Sequence, residues 1–295
     1  TMSRPCLVVD AETFRDVTAI AETSPPVGIV NISSQKLTCR VAPVFPDLKQ
    51  ALSAHPVSTV VFLSPYSGLY ADVRMALETG TQVVSAGPVP CSLAAWENLT
   101  GQKTSGQGNL VLPFWPAYMA PHARMAREAR HPDFGQPVYY RCLSAGGSGL
   151  LAHWWTQCRM WQCAVDALGS AVASGYVAAR RIGSALQISL TLRMRNKAHA
   201  HLVTVPLLSG GRGETYLLGT GGALSDSGYE NAPRIHGVSG VRLATDDDGS
   251  GRAVLIADVF AGREVRTGPD ETGWSRALLK AIRSALRTGN LTKVV

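Results

Sequence analysis

The first 120 residues alternate short, continuously apolar runs with segments whose apolar residues recur every three or four positions, and few architectures accept that alternation. The runs are PCLVV (5–9), VGIVNI (27–32), STVVFLS (58–64) and TQVVS (81–85). Between them Phe14, Val17, Ile20 and Ala21 share one helical face. So do Leu48, Ala51 and Leu52 after a capping Asp47, and Leu69, Val73, Ala76 and Leu77 before a terminating Gly80. An apolar strand without polar alternation is buried on both faces, and helices in each connection make the sheet parallel. A doubly wound, Rossmann-like domain is therefore expected, with ligands bound beyond the carboxyl ends of its strands. Residues 91–100 read as helix, 101–109 as a polar glycine-rich loop, 109–115 as a strand and 117–130 as a helix.

From about residue 136 the pattern changes. PVYYRCLS (137–144) is strand-like and 150–169 is a tryptophan-rich helix. Strand candidates then follow one another: VAARRI, ALQISLTLRMRN, AHLVTVPLL, ETYLLGT, GVRLAT and AVLIADVF (253–260). Strands in succession joined by short turns make a mainly antiparallel sheet. A last amphipathic helix, 271–288, turns Trp274, Leu278, Ile282 and Leu286 inward and is closed by Gly289. The expected fold class is α/β followed by an α+β domain with an open sheet. The expected division is residues 1–118, residues 119–270, and a helical segment 271–295 that returns to the first domain.

Composition narrows the function classes. Hydrophobic residues make up 45% of the chain and charged residues 17%, enough apolar matter for a large core. No apolar run reaches about eighteen residues, so no membrane span is expected. The opening residues lack the order of a secretion signal, and the six cysteines contain no CxxC pair. A reducing, cytoplasmic setting is expected. The Cys158–Cys163 spacing suits no common zinc site, and His199 with His201 lacks a third ligand, so no metal is expected. The net charge is +7, but the densest basic stretch, Arg276, Lys280, Arg283 and Arg287, has the spacing of one solvated helix face. No nucleic-acid partner is expected.

Several stretches fall in a familiar order. STVVFLSP followed by ALETGTQVV resembles the third and fourth strand region of the Gfo/Idh/MocA oxidoreductases. FWPAY (114–118) before GQPVYYRC is similar to that family's crossover between domains. YLLGTGGALS (216–225) resembles its late sheet, and RSALRTGN its final helix. LTLRMRN, HAHLV and LLGTGGAL are similar to one subgroup, the thiazolinyl imine reductases of siderophore assembly. The resemblance implies a nicotinamide-dependent reductase of specialised metabolism that forms oligomers through its second sheet.

Four positions depart from that pattern. The turn after the first strand, Val9-Asp10-Ala11-Glu12-Thr13-Phe14, has no glycine, and Asp10 and Glu12 put negative charge where phosphates belong. One like-charge contact at about 4 Å in a partly exposed site costs on the order of several kcal/mol. Asp10 suits a helix N-cap. The family's Glu-Lys-Pro is Ala86-Gly87-Pro88 here, its histidine aligns with Leu69, and a donor tyrosine aligns with Trp115. These departures imply a reductase relative with its usual cofactor site dismantled. No cofactor is expected, and the chain would bind a small molecule or catalyse a non-redox step.

The alternative is an active NADP-dependent imine reductase, with Ser34, Lys36, Ser64, Pro65 and Pro88 at the cofactor. A third reading is a non-catalytic partner of an active homologue. Tyr118 and His153 are the acid–base candidates. Tyr66, Trp115, Trp154, Trp155 and Arg159 are the candidate pocket residues, the tryptophans either stacking a ligand or packing on the sheet.

Overall fold

The computed structural model describes residues 4–64, 66–86, 89, 94–95, 98–99, 108–113, 120–145, 149–206, 213–227, 234–237, 240–243, 251–261, 263, 265 and 271–294. The chain divides into two compact units. One is residues 1–114 with 249–269; the other is 115–248 with 270–295.

The first unit holds a six-stranded parallel sheet. Its strands are β1 (Cys6–Val9), β2 (Gly28–Asn31), β3 (Val44–Phe45), β4 (Thr59–Phe62), β5 (Gln82–Ser85) and β6 (Leu110–Val111), in the order β3-β2-β1-β4-β5-β6. β1 lies at the centre with all four residues buried, as an apolar run without alternation requires. Helices α1 (Ala11–Thr23), α2 (Leu48–Ala54) and α3 (Leu69–Glu78) fill the connections. Asp47 caps α2, its carboxylate accepting from the Gln50 backbone N–H at 2.8 Å and from the Gln50 side-chain amide at 2.8 Å. Gly80 follows α3 with φ of 79°, a backbone region that side-chain-bearing residues rarely adopt.

The second unit holds a nine-stranded sheet. Its strands are β7 (Pro137–Ala145), β8 (Val172–Ile182), β9 (Ala185–Met194), β10 (His199–Val205), β11 (Glu214–Gly219), β12 (Gly222–Asp226), β13 (Arg234–Gly237), β14 (Gly240–Leu243) and β15 (Thr292–Lys293). Their order is β14-β13-β12-β11-β7-β10-β9-β8-β15. Every pairing is antiparallel except β7 with β10. Helix α4 (Ala120–Glu128) precedes this sheet, and α5 (Leu150–Leu168) packs on β7, β9 and β10. Burial alternates along β10, with Ala200, Leu202 and Thr204 buried and His199, His201 and Val203 on the open face. The fold class read from the sequence is the one observed.

Two readings of the later chain need correction. AVLIADVF, read as a strand, lies in helix α6 (Gly251–Phe260), which packs on α1 in the first unit. A short apolar run has no periodicity to separate a buried strand from a buried helix. Leu255, Ile256, Val259 and Phe260 are buried at helical spacing. The last helix, α7 (Glu271–Thr288), does not return to the first unit. It packs on β8 and α5, and Thr292 and Lys293 then pair with Val177 and Tyr176 at the sheet's edge. The segment that rejoins the first unit is 249–269.

A buried polar pin joins α4 to α5. His122, 4% exposed, meets the Asp166 carboxylate at 3.3 Å, and exposed Arg130 reaches the same carboxylate at 3.1 Å. Burial alone would lower the His122 pKa; the Cys163 thiol and the Asp166 carboxylate reverse that and raise it to about 9. Burial pushes Asp166 upward, yet His122 and Arg130 hold it below the ordinary carboxylate range.

Candidate functional site

In a doubly wound sheet the carboxyl ends of the central strands face the ligand side. Here the chain passes from β1 into α1 through Asp10 alone. The Asp10 carboxylate accepts from the Thr13 backbone N–H at 2.8 Å, and the Thr13 hydroxyl accepts from the Asp10 backbone N–H at 3.0 Å. This is a reciprocal capping box, and it satisfies two donors at the helix start. The Thr13 hydroxyl also lies 2.8 Å from the Ser64 hydroxyl beyond β4. Thr13 and Ser64 are 2% and 3% exposed, so a small buried hydroxyl cluster sits just beyond the ends of β1 and β4. Asp10 is the N-cap that its sequence position suggested. Its partner Thr13 was missed, although a side-chain hydroxyl three residues after an N-cap is the signal of such a box.

Beyond β2 the chain makes a turn organised by Asn31. The Asn31 side-chain oxygen accepts from the Ser33 backbone N–H at 3.0 Å and the Ser33 hydroxyl at 2.7 Å, and its amide donates to the Gln35 carbonyl at 2.7 Å. Ser34 and Lys36 stand exposed on this turn, and no carboxylate lies between Asn31 and Lys36. Tyr66 is half-buried beyond β4 and its hydroxyl donates to Asp72. Burial, then Asp72, pushes the Tyr66 pKa far above its ordinary value, so the phenol stays protonated. Leu69 is buried at the first position of α3. Pro65, Gly87, Pro88, Trp115 and Tyr118 lie outside the described residues.

The remaining candidates lie on α5. Trp154 is 1% exposed, and its indole N–H donates to the Ser275 carbonyl of α7 at 2.9 Å. Trp155 is buried beside it, with ring centroids 6.0 Å apart. Trp161 stacks on Trp274 at 4.6 Å. The helix thus spends tryptophans on packing against α7. Arg159 is half-buried on the same helix.

His153 is 2% exposed, and its Nδ1 lies 3.0 Å from the Thr204 hydroxyl of β10. Burial lowers its pKa, so it is neutral near pH 7. Gln157, one turn later and fully buried, donates from its side-chain amide to the Ile188 carbonyl at 3.0 Å, the Leu202 carbonyl at 3.3 Å and the Thr204 hydroxyl at 3.4 Å. Sequence reading missed Gln157 and Thr204. The four-residue offset from His153 was the visible hint for Gln157; Thr204 is distant in sequence and gave none.

On the open face of the second sheet, His201 lies 2.8 Å from the Ser189 hydroxyl, and burial and Arg141 lower its pKa. Among the described residues no group of three His, Cys, Asp or Glu side chains is placed to hold a metal ion, and no helix is long and apolar enough to cross a membrane.

No family model matches the chain, and no curated protein matches it. Solved structures do. A dehydrogenase from Chromobacterium violaceum superposes with a TM-score of 0.75 at 13% identity, over 98% of this chain and 97% of its own. An oxidoreductase from Agrobacterium radiobacter, in complex with NAD+, L-tartaric acid and magnesium, superposes at 0.71 and 12% identity over 100% and 99%. An NAD-binding oxidoreductase from Klebsiella pneumoniae superposes at 0.70 and 12% over 99% of each chain. At such identities the likeness shows the fold: this chain has the two-domain architecture of these oxidoreductases along its whole length. The expectation of no cofactor is corrected by these findings. It rested on four departures, the missing glycine turn with Gly87, Leu69 and Trp115, whereas solved structures that share this fold include an NAD+ complex and an NAD-binding oxidoreductase.

Proposed function

We propose that this chain is an NADP-linked oxidoreductase with an altered pyrophosphate seat. One observation carries the reading. The turn beyond β2 offers exposed Ser34 and Lys36, held in place by Asn31, and has no carboxylate for a ribose 2′-hydroxyl. A phosphate suits such a turn better than a bare hydroxyl, because a cation and a hydroxyl donor meet its charge. The first turn does not suit the usual pyrophosphate arrangement. Asp10 already occupies the Thr13 backbone N–H and places a carboxylate at the α1 N-terminus. A bound dinucleotide therefore needs its pyrophosphate held by groups other than this turn. When bound, the nicotinamide would supply hydride chemistry.

In this reading His153 is the polar group offered to the ligand, held by Thr204 and kept neutral by burial. The open face of the second sheet, with exposed Tyr176, Ile182 and Tyr216, suits association with a second copy. Sedimentation velocity at micromolar concentration tests that part; a strictly monomeric chain ends it.

Isothermal titration with NADPH and NADH tests the cofactor. NADPH is expected to bind at least tenfold more tightly than NADH, and no binding of either abandons the proposal. Asp10→Ser keeps a capping oxygen and removes the charge, so it is expected to tighten NADPH binding by roughly tenfold. Unchanged affinity in that variant places the pyrophosphate away from α1.

A further inference from the structure

We infer that Gln157 and Thr204 are positioning residues that hold His153 as the tautomer with its proton on Nε2, so that this side chain donates a hydrogen bond outward. The Ile188 and Leu202 carbonyls accept and cannot donate. Only the NH2 end of the Gln157 amide can meet them, which settles which way that amide points. The same NH2 group faces the Thr204 hydroxyl oxygen, and it cannot accept the hydroxyl hydrogen.

Thr204 is fully buried, and its hydroxyl hydrogen therefore has one acceptor within reach among the described residues, the His153 Nδ1 at 3.0 Å. An Nδ1 that accepts carries no proton, and a neutral imidazole then carries its proton on Nε2. The opposite tautomer would point two hydrogens at each other or leave the hydroxyl hydrogen unpaired in a buried place. His153 Nε2 makes no hydrogen bond to any described residue, so the proton it holds is available to something else.

The consequence rests on the reading of His153 as the ligand-facing group. A neutral imidazole donating from Nε2 selects a ligand with an acceptor there: a carbonyl oxygen, an imine nitrogen or an alkoxide. It disfavours an ammonium or another donor. Gln157 supports this role at a distance, since it touches no ligand and acts through Thr204.

Long-range nitrogen–proton correlation spectra of the uniformly 15N-labelled full chain read the tautomer directly, with the signals assigned by their loss in His153→Gln. The expected spectrum has a protonated, pyrrole-like Nε2 and a pyridine-like Nδ1. Thr204→Val removes the hydroxyl at nearly equal volume and is expected to give a mixture of tautomers; Thr204→Ser is expected to restore the wild-type pattern. A protonated Nδ1 in the wild-type chain overturns the inference, and so does a Thr204→Val spectrum identical to wild type. The wild-type spectrum decides even if a variant fails to fold. Failure of NADPH to bind would remove the proposed cofactor without altering this spectrum, so the two ideas fail separately.

Discussion

His122 and His153 sit near opposite ends of α5, both almost wholly buried, and they are pushed in opposite directions. His122 meets a carboxylate and a thiol, and its pKa rises to about 9. His153 meets a neutral hydroxyl, and burial lowers its pKa. Desolvation opposes charge at both places, so the partner decides the outcome. A charged imidazole is a structural pin, holding α4 against α5. A neutral one meets only a hydroxyl among the described residues and carries no such charge. The contrast shows that burial alone does not set the charge of a histidine.

The contrast can be broken from the His122 side first. Asp166→Asn removes the charge that stabilises the imidazolium and is expected to cost about 3 kcal/mol at pH 6, measured by denaturant unfolding. The loss should shrink near pH 9, where His122 gives up its proton even in the wild-type chain. A loss independent of pH would mean that His122 is neutral.

The wild-type pH profile is the next largest effect, and the two histidines contribute with opposite sign. His122 has a folded pKa above its unfolded value. Its contribution is complete below about pH 6.5 and falls by about 3 kcal/mol as pH rises through 9. His153 has a folded pKa below its unfolded value, so its contribution is lost as pH falls beneath about 6.5. Asp166 adds a second loss in acid, below the ordinary carboxylate range of about 4. A stability maximum close to pH 6.5 is therefore expected in thermal unfolding. A curve still rising at pH 9 would contradict the assignment of His122.

Smaller effects sharpen the picture. Thr204→Val leaves buried groups unmatched and is expected to cost about 1–2 kcal/mol, with little change between pH 7 and 9. Arg130→Ala removes an exposed member of the Asp166 pair and is expected to cost less than about 0.5 kcal/mol in unfolding measurements.

Much of the fold was legible because its signals are local. The buried run STVVFLS contains β4, Asp47 caps α2 by reaching three residues ahead, and Gly289 follows α7 with φ of 71°. The segment AVLIADVF was misread because its apolar residues suit a strand or a helix equally, and only the packing surface of α1 chooses. The tryptophans of α5 were ambiguous for a similar reason. An indole on a helix can stack a ligand or pack on a neighbour, and Trp274 and Ser275 lie more than one hundred residues away in sequence.

The candidate site divides in the same way. Asp10 and the turn after β2 are short-range features, and the absence of glycine at the first was plain in the sequence. With Gly87, Leu69 and Trp115, that absence pointed away from a cofactor. Solved structures that share this two-domain fold include an NAD+ complex and an NAD-binding oxidoreductase.

By itself the sequence determined the parallel sheet with its helices, the antiparallel character of the second sheet, and the cap at Asp10. Those depend on periodicity and on contacts within a few residues. Only the tertiary structure decided which unit α6 and α7 join, which tryptophans are core, and which histidine is charged. The physical reason is range. Backbone hydrogen bonds and caps are satisfied by near neighbours, whereas the charge on a buried imidazole depends on whether a carboxylate or a hydroxyl arrives from a distant part of the chain.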